Sequence, residues 1–327
     1  MRPVRWGILA TGDIAATFAA DLRRTPGAEL AAVGSRRLAS AQTFAARLGV
    51  ARAYGSYEEL AADPDVDVIY VSTPHSMHRD NVMLCFEANK AVLCEKALTL
   101  NARDAAELVE AARARRLFFM EAMWMRCNPN IVAMQRLVAS GAIGAVSAVG
   151  ADFGFLSDKP PEHRLFDPGL GASALLDIGV YAMTFVWLFM GAPLRVQSTG
   201  TLSERGFDLS CASVLTYDAG AATIQCTMAA PTPGRAYVAG NLGRIDVAPP
   251  FHAPTRFSVT VGGATTSHAL PVAGAGYVHE IEEVQRCLRS GATESSVVPL
   301  DDTVAILGLL DQMRAQIGST LPGDAPW

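Results

Sequence analysis

The chain has 327 residues, a mass of 34.6 kDa and a hydrophobic content of 50%. That suits two domains of ordinary size and excludes a disordered chain or a small disulfide-stapled one. Charged residues make up 18% and the net charge is −5 with no basic block, which argues against a nucleic-acid or anionic-membrane surface.

In chain order, Met1–Ala15 carries an apolar stretch too short for a signal peptide and runs into a glycine turn. Near-continuous apolar runs at Val4–Leu9, Leu30–Gly34, Val66–Ser72, Ala91–Cys94 and Leu117–Met120 read as parallel strands buried on both faces. Amphipathic, Ala-rich segments near 13–24, 38–48, 76–89 and 101–115 read as the helices between them. This β-α-β-α rhythm predicts an α/β, doubly wound parallel sheet. The rhythm changes near residue 122. A helix over 129–139, a strand at Val146–Phe155 and a long helix over 173–190 follow. Strands are then expected at Val196–Leu202, Ser210–Tyr217, Ala222–Thr227, Arg244–Val247 and Phe257–Val261, with turns such as Tyr217-Asp218-Ala219-Gly220. No long helix separates them, so the second sheet should be mainly antiparallel and open. Helices near 275–290 and 302–317 close the chain. The expected domains are 1–122 and 123–327.

The longest apolar run, Ala182–Ala192, falls well short of the ~20 residues of a membrane helix. The six cysteines form no C-x-x-C pair, and no Cys/His cluster has zinc spacing. The sequence therefore predicts a cytoplasmic protein with reduced thiols, no metal, and neither a membrane nor a nucleic-acid partner.

The first strand ends in Gly7-Ile8-Leu9-Ala10-Thr11-Gly12-Asp13-Ile14-Ala15. In the dinucleotide fingerprint G-x-G-x-x-G/A the small residues would be Ala10, Gly12 and Ala15, with a pyrophosphate at the helix N-terminus. Ala10 in the first position requires the turn to accept a Cβ. An ordinary tight turn is the simpler alternative, and the turn's place in a βαβαβ unit favours the fingerprint. After the second strand comes Ser35-Arg36-Arg37, with no acid to bind ribose hydroxyls. Arg forks suit a phosphate, so NADP is preferred to NAD.

The strand through Leu93-Cys94 leads into Glu95-Lys96, at the carboxyl edge where ligands bind in open α/β sheets. Asp177 and Tyr181 stand i and i+4 in an apolar helix opened by Pro168-Gly169-Leu170-Gly171, and so share a face. Trp124, Arg126 and Phe153 follow the change of rhythm and are candidates for a substrate wall. Each has a packing alternative: a surface lysine, a carboxylate held by backbone donors, and core aromatics.

Together these pieces resemble the glucose–fructose oxidoreductase / inositol dehydrogenase / rhizopine-catabolism (Gfo/Idh/MocA) family. Glu95-Lys96-Ala97 is similar to its E-K-P element, and the stretch ending Asp177-Ile178-Gly179-Val180-Tyr181 to its G-G-G-x-x-x-D-x-G-x-[HY] element. The chain looks closest to the dimeric dihydrodiol dehydrogenase / NADP-dependent D-xylose 1-dehydrogenase branch. That likeness is carried by Val92–Lys96, Phe119–Arg126, Ala151–Gly154, Gly276–Glu280 and Arg286–Arg289. Ala97 replaces the usual Pro, and Leu170 and Ala172 interrupt the glycine run.

The resemblance implies an N-terminal Rossmann domain and a C-terminal α+β domain. It also implies hydride transfer between a nicotinamide and a secondary alcohol of a cyclic sugar or trans-dihydrodiol. Tyr181 would be the acid/base. Its phenol, near pKa 10 when free, would need the Lys96 cation, and Asp177 would orient the hydroxyl or Lys96. Cofactor contacts would come from Ala10, Thr11, Gly12, Asp13, Ile14, Ser35, Arg36, Arg37, Ser72, Thr73, Pro74, His78, Glu95 and Lys96. A homodimer through the second sheet is expected, because an open sheet should leave a large apolar face. Two other readings stand beside this one: a cofactor-binding sensor without turnover, and a redox-assisted glycosidase or epimerase with no net cofactor change.

Overall fold

A computed structural model describes residues 2–324. The chain forms two compact units. The first comprises 1–99, 103–127 and 273–304, and the second 100–102, 128–272 and 305–327. The division therefore falls at 127 rather than 122, and the chain returns to the first unit near its end. A single boundary placed by rhythm cannot register such a return.

The first unit alternates β1 (Val4–Leu9), α1 (Asp13–Leu22), β2 (Ala28–Gly34), α2 (Leu38–Leu48), β3 (Arg52–Tyr54), α3 (Tyr57–Ala61), β4 (Val68–Val71), α4 (His78–Glu87), β5 (Ala91–Glu95), α5 (Ala102–Arg115) and β6 (Phe119–Ala122). The sheet order is β3-β2-β1-β4-β5-β6 and every pairing is parallel. The order reverses between β1 and β4, the switch point where ligands bind in doubly wound sheets. Trp6, Ile8, Leu9, Val68, Ile69 and Leu93 are wholly buried, as parallel strands covered on both faces require. Strand β3 and helix α3 escape the sequence reading because they are only three and five residues long.

The second unit holds α6 (Pro129–Ala139), β7 (Val146–Gly154), a π-helical turn over Leu175–Gly179, and α7 (Val180–Met190). The remaining strands are β8 (Arg195–Leu202), β9 (Asp208–Tyr217), β10 (Gly220–Thr227), β11 (Ala236–Gly240), β12 (Gly243–Val247), β13 (Phe257–Val261) and β14 (Ala264–His268). Their order is β14-β13-β12-β11-β7-β10-β9-β8, parallel only between β7 and β10. Helix α8 (Val278–Ser290) belongs to the first unit, and α9 (Leu300–Ile317) is the last element in chain order among the described residues. Strand β14 is Thr-rich and an exposed edge, so it carries no apolar signal, and β11 is apolar but only five residues of mostly small side chains.

The inner face of the second sheet buries Val196, Leu215, Ile224, Cys226, Val238 and Ile245. The helical stretch Pro168–Met190 is apolar and long enough to cross a membrane, but is 78% buried as a core helix. The outer face is not the apolar surface expected. On β8, β9 and β10 it presents Gln197, Thr199, Thr201, Ala212, Thr216, Thr223 and Gln225, with Val214 as its one large apolar group there. Alternation has placed short polar residues outward, around a concavity of about 930 Å³.

Candidate functional site

In the first unit, β1 ends in Ala10, whose φ of 94° lies in the left-handed region that glycine occupies more cheaply. Its amide donates to the Gly34 carbonyl at 3.0 Å. Gly12 caps α1 without any side-chain acceptor, and a Cβ built on it would meet nothing within 4 Å. The first amides of α1 thus face open space, with the helix dipole behind them. Thr11, Asp13 and Ile14 complete the turn.

At the end of β2, Ser35 is buried and its amide donates to Tyr54 O at 3.2 Å; Arg36 and Arg37 are exposed. Burial raises the Tyr57 hydroxyl pKa, while the adjacent Arg36 guanidinium pulls it down. These features fit a dinucleotide: uncapped helix amides for a pyrophosphate, and two arginines with a hydroxyl for the ribose end.

The segment after β4 braces the one after β5. Ser72 Oγ donates to Leu9 O at 3.0 Å, and Thr73 Oγ1 accepts from Asn81 at 3.1 Å. Pro74 opens a short 3₁₀ turn, His75–Met77. His75 Nε2 lies 3.2 Å from the Lys96 carbonyl. His78 Nε2 lies 2.7 Å from Thr73 O, and its Nδ1 lies 3.1 Å from the carbonyls of both Ala97 and Leu98. Burial, then His75, push the His78 pKa down to about 3, against the pull of the three carbonyls. Glu95 accepts from the buried Tyr70 hydroxyl and, at 3.2 Å, from the Lys96 amide. The Lys96–Ala97 peptide is cis. Leu98 N donates to Glu121 Oε1 at 3.2 Å, and Thr303 donates to Glu121 Oε2 at 2.8 Å. Burial raises the Glu121 pKa.

The loop bearing Lys96 is therefore gripped by two histidines and two carboxylates. Of these, the sequence places His75 with His78 in a loop against the cofactor or at the cap of the next helix, and gives no role to Glu121 or to the supporting Tyr70. A tyrosine inside the apolar run Val68–Val71 was the available signal, since a buried hydroxyl needs a partner.

Two substrate-wall candidates also lie in this unit. Trp124 is 7% exposed and packs 5.1 Å from the Tyr277 ring. Gly276, at φ 109°, makes room for it: a Cβ there would stand 2.7 Å from the indole. Arg126 is 7% exposed. Its guanidinium donates to Val297 O and Asp302 Oδ2, each at 2.7 Å, which is a packing role.

The second unit holds the rest. Ser173 and Asp208 start the long helix: Asp208 Oδ2 accepts from Ser173 Oγ at 3.0 Å and Leu175 N at 2.7 Å, and Ser319 donates to Oδ1 at 2.8 Å. Asp177 sits inside the π turn and Tyr181 one residue into α7. A π turn widens the helix and re-aims its side chains, a recurrent device at functional sites. Asp177, 5% exposed, accepts from Arg164 Nη1 at 3.1 Å. Tyr181, 6% exposed, packs 6.1 Å from Phe153 and 5.0 Å from His252. The structure thus brings Asp177, Tyr181 and Phe153 together in this unit, and adds Arg164 and His252. Neither addition has a sequence signal, because both lie on irregular segments far from the motifs. Six free cysteines, five of them buried, complete the polar inventory.

The chain was compared with known proteins. An oxidoreductase-family model with an NAD-binding Rossmann fold matches residues 4–123, and a GFO/IDH/MocA C-terminal domain model matches 131–246. The chain is 36% identical to the trans-1,2-dihydrobenzene-1,2-diol dehydrogenases of Bos taurus and Homo sapiens, covering 98% of this chain and 99% of each relative. Among solved structures it resembles a 3-ketoreductase from Actinomadura kijaniata in complex with NADP and TDP-benzene. The TM-score there is 0.86 at 26% identity, over 97% of this chain and 98% of that one. The aldose-aldose oxidoreductase from Caulobacter crescentus shares the fold, with a TM-score of 0.88 at 20% identity over 96% and 97%. With both halves matched and curated relatives aligned end to end, the chain belongs to the GFO/IDH/MocA oxidoreductase family and is an NAD(P)-dependent oxidoreductase.

Proposed function

We propose that this oxidoreductase uses NADP to oxidise a ring secondary alcohol of a cyclic sugar or trans-diol, or to reduce the corresponding carbonyl. The grip on the Lys96 loop carries the reading. His75 and Glu95 hold the backbone of Lys96 itself, and His78 and Glu121 that of Ala97 and Leu98 next to it, at the carboxyl edge of the sheet, where this fold receives ligands. Such immobilisation suits a cation that must meet a developing alkoxide.

The residues assigned to the cofactor are Ala10, Thr11, Gly12, Asp13 and Ile14 at the pyrophosphate turn, and Ser35, Arg36 and Arg37 at the adenosine ribose. Ser72, Thr73, Pro74, His78, Glu95 and Lys96 are assigned to its nicotinamide end. When bound, the nicotinamide supplies the hydride acceptor. Tyr181 takes the hydroxyl proton, Lys96 lowers the cost of the phenolate that does so, and Asp177 orients the reacting hydroxyl. In the reverse direction Tyr181 returns the proton to a carbonyl oxygen. Phe153 supplies an aromatic surface for the substrate ring.

The test is absorbance at 340 nm with NADP against a panel of aldoses and cyclic trans-diols. Turnover is expected, and Lys96→Met and Tyr181→Phe should each lower kcat by ~10²–10⁴. Full turnover in the Lys96→Met, Tyr181→Phe double variant would remove the assignment. Tightly retained cofactor with product formed and no absorbance change would favour the redox-assisted glycosidase or epimerase.

A further inference from the structure

We infer that Arg164 is a positioning residue, holding the Asp177 carboxylate in the pose from which it orients the reacting hydroxyl. The inference rests on the function proposed above. Arg164 Nη1 donates to Asp177 Oδ1 at 3.1 Å. The bond joins an irregular segment to the π turn thirteen residues further on. Its two ends stand in different surroundings: the Asp177 side chain is 5% exposed and that of Arg164 42%. A carboxylate so far from water is costly without a cation beside it, whereas the guanidinium keeps much of its hydration. The pair thus differs from Arg79–Glu107, where both side chains are half-exposed and an ion pair contributes little.

Both residues are held by their own backbones. Asp177 N donates to Ser173 O at 2.9 Å. Arg164 opens the 3₁₀ turn Arg164–Phe166, and its carbonyl accepts from Asp167 N at 3.2 Å. Arg205 Nη1 donates to Phe166 O at 2.5 Å. Asp167 in turn accepts from Gly169 N at 2.9 Å through Oδ1 and from Ala172 N at 3.1 Å through its carbonyl. A series of bonded turns therefore leads from Arg164 into the helix that carries Asp177. The arginine side chain spans from this pinned turn to the carboxylate, and the bond to Oδ1 fixes its far end. Asp177 lies on the turn before Tyr181. A carboxylate that swung away would leave the hydroxyl misaligned for proton transfer, and a misplacement of about 1 Å can cost ~10²-fold in rate.

The experiment is a double-mutant cycle in the full-length protein, with NADP and the best substrate of the aldose and trans-diol panel. Arg164→Met keeps the side-chain length and removes the cation. It should lower kcat at least ~10-fold and leave the KM for NADP unchanged, since Asp177 is not assigned to the cofactor. Arg164→Lys should recover part of the loss, because the contact is a single bond rather than a fork. In an Asp177→Asn background, Arg164→Met should change kcat less than ~3-fold, because the carboxylate through which it acts is gone. An unchanged kcat in Arg164→Met, or equal fold losses in the two backgrounds, would overturn the inference and leave Lys96 and Tyr181 in their assigned roles. A wild type that turns over nothing defeats the proposed activity instead. The same cycle is then read from calorimetric dissociation constants for D-xylose and trans-cyclohexane-1,2-diol. Weakening by Arg164→Met only where Asp177 is present upholds the inference; equal weakening in both backgrounds, or no binding at all, overturns it.

Discussion

Glu280 has no exposed surface, and neither carboxylate oxygen has a hydrogen-bond partner among the described residues. Burial, then the nearby Glu95 and Asp21, push its pKa well above the ordinary carboxylate range. The folded state therefore binds a proton that the unfolded chain releases above pH ~4.5. Stability should fall as pH rises past that value. Glu280→Gln, isosteric and neutral, should flatten this slope and raise Tm at pH 8 more than at pH 5. Thermal unfolding at both pH values checks it, and an equal shift at both would refute the protonated form. The proposed preference for NADP rests on Arg36 and Arg37. Replacing both by Ala should cost at least ~10-fold in kcat/KM with NADP and leave NAD nearly unaffected, since each charge-assisted bond to a phosphate is worth ~1.5–3 kcal/mol. Equal losses with the two cofactors would contradict that role. Ala10 tests the turn itself: Ala10→Gly relieves a left-handed alanine and should stabilise by about 1 kcal/mol, seen as a rise in Tm.

The long helix of the second unit depends on a buried acid placed at its start. Asp208 is unexposed and accepts from the Ser173 and Ser319 hydroxyls and the Leu175 amide, so it satisfies a helix-start amide that would otherwise be orphaned. Burial raises its pKa while those donors lower it. Asp208→Ala should destabilise by ~2–4 kcal/mol, read by chemical denaturation. The same helix shows what a sequence can and cannot convey. Its span over 173–190 was legible from a largely apolar stretch, and Asp177 stood out as an ionisable group within it. The π turn was not legible, because an added residue per turn changes no composition. The strands of the first sheet were legible for the same reason as the helix. β14 was not, since its exposed Thr and Ser side chains imitate a loop, and β11 was not, being a short run of mostly small side chains. Lys96 was readable from position, but its brace was not. His75, His78 and Glu121 meet it only through the parallel register of β4, β5 and β6, a tertiary fact.

Across the molecule, the outer face of β8–β10 presents mainly short polar side chains with one large apolar one, and charge stands beside them at Arg195 and, around the concavity, at Asp152, Arg235, Asp246 and Arg256. Interface centres are depleted of charge more reliably than they are enriched in hydrocarbon. The homodimer implied by the resemblance is therefore retained as a proposal, with short polar side chains in place of an apolar patch. Sedimentation should give twice 34.6 kDa, and Val214→Arg should return a monomer; a monomeric wild type would exclude it.

The return of residues 273–304 to the first unit has a consequence for dissection. Asp21, on α1, receives the amides of Ala275 at 2.8 Å and Tyr277 at 3.0 Å, and Phe119 N donates to Thr293 O at 3.1 Å. A fragment cut after Cys127 would bare these groups and should be recovered unfolded. Supplying 273–304 as a separate peptide, or splicing it on by circular permutation, should restore it. The nucleotide half of this protein is thus discontinuous in sequence, and a ribosome completes it only after the whole of residues 128–272 has been made.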